Sequence, residues 1–327
     1  MHLPCSRIAA VLLLAAGLPA APVHAADTTA LHHAAQAAAA DYRQAQRERL
    51  IAAGGRDNRI AAALLTLPAD ANAPIPAATA AAARALLRED ADDELALYVA
   101  ALSCHLQPDC SDRGAVDRLT ARAGGNALHW LLTPGAVAPA DTALQHAAAA
   151  KTAEPHLGAM VSVLDKALAN AAAPTTAGSE AAALAAQLRA GAIAAIPLPR
   201  FAPTLTVCKD ASRHDVCLDL GRRLFADAQG SILSRTIGSV LLRRLAKGTA
   251  EDDAARTFRR DYVWLGEHDL DQDGRDETLR ADLVRLGEWE AWQRAAERAG
   301  FARTPPAGWV PRNPQQLLLS EERKPAQ

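Results

Sequence analysis

The chain has 327 residues, and its 35 basic and 37 acidic side chains leave a formal charge of −2. So even a balance provides no electrostatic footprint for nucleic acid or for an anionic membrane surface. Aromatic residues make up 4 % of the chain, too few to line a sugar-stacking cleft and fill a core as well.

The N-terminus reads MHLPCSRIAAVLLLAAGLPAAPVHAADTT. Arg7 precedes an apolar stretch, Ile8 to Leu18, shorter than the roughly 20 residues that span a bilayer. Val23-His24-Ala25 has the small-x-small pattern of a signal-peptidase site, so residues 1–25 are expected to be a signal peptide cleaved after Ala25. Cys5 lies on the wrong side of the apolar stretch for lipid attachment, and no later run is long enough to be a membrane span. Lysine occurs only at 151, 166, 209, 247 and 324, with arginine and alanine abundant elsewhere. That bias points to a GC-rich bacterial genome, and export from such a cell points to the periplasm.

Beyond the leader the pattern is helical almost throughout. Alanine, leucine, arginine and glutamate are strong helix formers, and apolar residues recur at spacings of three and four between Gly, Pro and Asn breaks. The expected class is all-α, an array of antiparallel helical hairpins with two local disulfides. Residues 26–196 form an Ala-rich N-terminal array, 197–302 a set of C-terminal hairpins, and 303–327 an extended, partly disordered tail. In chain order, residues 92–103 place Leu95, Tyr98, Val99 and Leu102 on one face. The loop CHLQPDC follows, and Ser111 is expected to cap a helix over 112–123. AAAPTTAGS at 171–179 reads as a linker or exposed loop, and IPLPRFAPTLTVCKD at 196–210 as extended. Ser212-x-x-Asp215 resembles a capping box. Residues 231–247 align Leu233, Ile237, Leu241 and Leu245, and Thr249 caps a helix carrying Phe258, Tyr262 and Leu265. The last long helix is expected over 288–299, ending at Gly300.

Four cysteines follow the leader: Cys104, Cys110, Cys208 and Cys217. An even count in an oxidising compartment favours disulfides. Of the three connectivities, Cys104–Cys110 with Cys208–Cys217 is preferred, because each pair then brackets one short loop. Neither spacing is C-x-x-C, so redox or zinc chemistry at these thiols is disfavoured.

GGNALHWLL at 124–132, with the helices after it, resembles a degenerate tetratricopeptide-type repeat, in which an Asn-Ala-x-x-Trp phrase opens the first helix; Thr133 stands where a Leu is expected after Trp130. The chain also resembles Ala-rich exported proteins of unassigned function from GC-rich Gram-negative bacteria, which carry paired cysteines around helix turns and a Pro-Pro-x-x-Trp-x-Pro phrase, here Pro305, Pro306, Trp309 and Pro311. The resemblance implies a helical-hairpin, tetratricopeptide-like solenoid and no particular activity.

One stretch carries possible metal chemistry. HDLDQDGRDETLR, 268–280, contains D-x-D-x-D-G. Counted as a calcium loop, Asp269, Asp271, Asp273 and Glu277 supply carboxylates and Gly274 the sharp turn, but Arg280 occupies the position of the closing bidentate glutamate. The other reading is a helix start capped by Asp273, with Asp276 and Glu277 complementing the helix dipole. Apart from this possible calcium ion, no cofactor is expected.

Elsewhere there is no H-E-x-x-H, G-x-S-x-G or phosphate-cradling glycine loop. A lytic transglycosylase is disfavoured because the chain has no Glu-Ser dipeptide. His32-His33 point to different helix faces, His105 lies beside a cysteine expected to be oxidised, and His129, His146 and His156 read as isolated helix-surface or core residues. His214 belongs to a helix cap, and His268 borders the acidic loop. Trp289, Trp292 and Trp309 belong either to a C-terminal mini-core that docks the tail or to a patch for a partner. The expectation is a non-enzymatic, periplasmic helical-repeat protein that binds or scaffolds a protein or peptide. The alternatives are a calcium-stabilised exported module and, more remotely, a divergent cell-wall hydrolase.

Overall fold

Alanine-rich segments with periodic leucines become helices wherever a cap can start them and a glycine or proline can stop them. The computed structural model describes residues 25–68, 76–169, 181–227, 231–268, 270 and 276–323, with side chains from 37 onward and, after the gap at 170–180, from 184. The described part is all-helical. It has no strand, only an isolated parallel bridge between Asn126 and Thr152.

The helices are α1 (Ala25–Ala53), α2 (Arg56–Leu64), α3 (Ala77–Glu89), α4 (Glu94–Leu106), α5 (Gly114–Ala123), α6 (Ala127–Leu131), α7 (Asp141–Ala149) and α8 (Leu157–Leu168). They continue with α9 (Ala181–Ala194), α10 (Ala202–Val207), α11 (His214–Ala226), α12 (Ile232–Leu245), α13 (Ala250–Gly266), α14 (Glu277–Leu286) and α15 (Glu288–Arg298). Chain neighbours pair as α1 with α2, α3 with α4, α4 with α5, α6 with α7, α11 with α12 and α14 with α15. Longer-range contacts of α2 with α8, α7 with α11, and α8 with α14 tie these pairs together. No described helix is long and apolar enough to cross a membrane.

Helix α4 is the centre of the N-terminal core. Asp93 caps it by accepting from Ala96 N at 2.8 Å, and every residue from Leu95 to Leu106 is buried. Ile60 and Leu64 of α2 and the apolar face of α8 (Met160, Val161 and Leu164) join the same cluster. The helix runs to Leu106, so Cys104 and His105 are helical rather than part of the expected loop. A second cluster combines Leu128 and Leu131 of α6 with Leu144 of α7, Leu220 and Leu224 of α11, and Leu241 of α12. A third gathers Phe258, Leu265, Trp289 and Ala296.

Both expected disulfides are formed, Cys104–Cys110 and Cys208–Cys217, with Cα–Cα distances of 5.4 and 5.7 Å. Several expected helix starts move. Helix α5 begins at Gly114, and Asp112 rather than Ser111 accepts from its first amide. Asp210 caps the 3-10 turn Ala211–Arg213 that leads into α11, in place of a Ser212–Asp215 box. The Pro-rich 196–210 segment is not extended throughout, because Ala202–Val207 closes into a short helix with Pro203 in its first turn, where a missing N–H costs nothing. The linker expected at 171–179 lies outside the described residues, as do residues 1–24 of the expected leader.

Helices α11 and α12 cross where both backbones lack side chains. A Cβ on Gly238 would stand 2.5 Å from Phe225 N and 2.8 Å from Gly221 O. The tail then crosses α12 and α13. Trp309 meets the Trp264 ring edge-on at 5.5 Å, and Trp264 Nε1 donates to Ala302 O at 2.8 Å. Arg243, 4 % exposed, donates to Leu317 O and to the Glu322 carboxylate, and Arg244 forms a two-pronged pair with Glu321.

Two outcomes are expected. Gly238→Ala forces α11 and α12 apart and lowers unfolding free energy in urea by about 2 kcal/mol, the usual scale for overpacking. Truncation after Ala302 uncovers Arg243 and the α12–α13 surface, and calorimetry should show the melting midpoint falling by about 4 °C or more, given about 2–4 °C per kcal/mol in a chain of this size.

Candidate functional site

The bridge between Asn126 and Thr152 brings together residues that are far apart in sequence. Gly125 O accepts from Lys151 N and Thr152 N, and Ala127 N donates to Thr152 O. Asn126 caps α6 by accepting from Leu128 N, and its Nδ2 donates to Glu154 O at 2.7 Å. This clip sets His129, in the short helix α6, against His156, the residue that caps α8. His156 adopts the left-handed conformation (φ 52°), which is uncommon outside glycine and turns its ring back toward α6.

The two imidazole planes lie 16° apart and the rings meet edge to edge, their Nε2 atoms 2.9 Å apart. His129 Nδ1 lies 2.8 Å from Ala123 O. Since a carbonyl only accepts, Nδ1 carries the proton and Nε2 of neutral His129 presents a lone pair. His156 Nε2–H therefore donates into it. Asn126 Nδ2 also points at that lone pair, at 3.1 Å. Glu94, in the first turn of α4, places Oε1 3.5 Å from His156 Nε2. Donor atoms of Glu94, His129 and His156 all lie within 4.8 Å of one another, and these are the residues here that could hold a metal ion.

Tyr98, one turn after Glu94, forms the floor. It is fully buried, its ring stands edge-on to His156 at 4.7 Å, and its hydroxyl has no hydrogen-bond partner among the described residues. Burial pushes both histidines down to about 4 and the Tyr98 hydroxyl up. Glu154 is also raised, first by burial and then by the neighbouring Asp227 and Glu94 charges. The surroundings are thus dry on the histidine side and acidic on the other, while the Glu94 side chain remains 44 % exposed.

His129 and His156 are therefore not isolated, contrary to the sequence expectation. The other histidines whose side chains are described are engaged elsewhere. His146 stacks on Trp130, His268 packs against Trp264 and Phe301, and exposed His214 pairs with Asp215. His105 is a buried clamp, donating from Nδ1 to Thr133 O at 2.7 Å and accepting from Arg200 N at 2.9 Å. Of the acidic loop, Asp269, Asp271 and Asp273 lie outside the described residues. Glu277 opens α14 with Arg280 3.7 Å away, and Asp276, not Asp273, is the cap, accepting from Thr278 N and Leu279 N. Trp289 is buried against Phe258 at 4.8 Å, Trp292 packs beside that cluster, and Trp309 meets Trp264.

The His105 clamp makes stability depend on pH. Burial holds its pKa down to about 4 against an ordinary 6.5, so between these values the unfolded chain binds the proton and the folded one does not. Its contribution is complete above pH 6.5 and is lost as pH falls toward 4, at about 1.4 kcal/mol per unit of separation. His105→Gln keeps a donor and an acceptor without titrating. Urea unfolding across this range should show a shallower acid-side slope in the variant than in the parent.

No protein-family model, curated protein or solved structure matches the chain.

Proposed function

We propose that the chain is an exported, non-enzymatic interaction protein, a tetratricopeptide-like array of helical hairpins in the periplasm that docks a protein or peptide partner. The observation that carries this reading is an open groove of about 600 Å³ between α7 and α11. Ala148, Ala149 and Val216 supply an apolar floor, with Gln145, Arg222 and Arg223 among its polar lining. Arg222 is balanced by Asp219 and Glu251. Arg223 donates to Lys151 O, but its buried Nε has no partner among the described residues. Arg223 lines the groove, and its guanidinium charge would favour a carboxylate on an incoming peptide through a charge-assisted bond.

The pairing of successive helices supports the hairpin array. The apolar leader sequence and the two disulfides support export, since bridges persist in oxidising compartments.

A photoreactive side chain at Gln145, introduced in the cells that make the protein, should give a reproducible adduct with one partner. Filling the groove with Ala148→Trp should abolish that adduct while leaving the helical circular dichroism unchanged. Repeated recovery of the chain alone would sink this reading.

A further inference from the structure

We propose that Glu94, His129 and His156 form a binding site for a divalent transition metal ion of the zinc class. Two imidazole nitrogens and one carboxylate are a donor set suited to such ions, leaving a fourth position for water. The inference does not rest on the interaction reading and would stand if that reading failed.

Four observations point to an ion. The first is orientation. His129 Nδ1–H is held by Ala123 O, so Nε2 is turned inward with its lone pair facing His156, the arrangement by which a backbone carbonyl fixes a metal-binding tautomer. The second is spacing. Bond lengths of 2.0–2.2 Å imply tetrahedral donor–donor edges of about 3.3–3.6 Å; the His156–Glu94 edge of 3.5 Å falls in that range, and the imidazoles, 2.9 Å apart, would open by about half an ångström. Binding would require His156 to move its proton to Nδ1 and Asn126 Nδ2 to withdraw from its 3.1 Å contact with His129, keeping its bond to Glu154 O.

The third observation is charge. Glu94 has no arginine or lysine partner among the ion pairs of the described residues, its only such contact being His156. Glu154 and Asp227 add negative potential nearby. The fourth is independent of the ligands: the Tyr98 hydroxyl, fully buried and without a partner, belongs to a ring packed against His156. A buried unpaired hydroxyl is costly, and this one also feels the Glu154 carboxylate next to the cluster. The exposed Glu94 side chain marks the route of entry.

The test uses the full mature chain, free of any affinity tag and stripped with a chelator. Zinc titrated calorimetrically should bind with one equivalent, and cobalt(II) substituted for it should develop the visible bands of a four-coordinate ion. Glu94→Gln removes the anionic ligand at a half-exposed position and should weaken zinc affinity by about 10-fold or more, with helical content and metal-free melting unchanged. His156→Asn, which tolerates the left-handed backbone, should weaken zinc affinity likewise. Absence of zinc binding by the parent chain, or binding that persists unchanged in both variants and so resides at the N-terminal histidines or the 269–277 loop, would overturn the assignment.

Discussion

The structure depends on keeping one helix dry on all sides. Residues Leu95 to Leu106 of α4 have no wet face, so every polar group on it must be satisfied from within or left unsatisfied. Ser103 Oγ bonds back to Val99 O, and His105 is clamped between two backbone groups. Tyr98 is the exception. Its hydroxyl has no partner among the described residues, and its ring lies beside the paired histidines. The first turn, by contrast, reaches solvent through Glu94. The same helix thus supplies a wet acid and a dry floor one turn apart.

The geometry around α4 is completed by a device with little sequence signature. The 124–127 and 151–154 segments meet through a handful of backbone bonds, and Asn126 uses both ends of its amide, one as a helix cap and one on Glu154 O. Without this junction His129 and His156, 27 positions apart, would have no reason to meet. Burial then keeps both rings neutral, which is the state that can present nitrogen lone pairs.

What was legible in the sequence was local. Thr249 caps α13 as its position suggested, accepting from Glu251 N and Asp252 N, and Gly300, at positive φ, follows the last long helix. Both disulfides followed from loop length. The misplaced starts share one cause: where several Ser and Asp side chains compete within a few residues, as at 110–112, 210–215 and 271–276, propensity cannot say which will cap. The histidine pair was barely legible, because periodicity describes one helix and this pair is made by a contact between two. The only clue was Asn126 with His129 three residues on, a cap followed by an imidazole on a buried turn.

The order of the cysteines has a consequence for biogenesis. Each bridge joins a cysteine to the next one along the chain, the partners standing six and nine positions apart. Under the export proposed above, a polypeptide threaded through a translocation pore N-terminus first would expose both members of the first pair well before either member of the second. An oxidase that simply links thiols in the order of their emergence would therefore produce the native set, and no shuffling isomerase would be required to correct it.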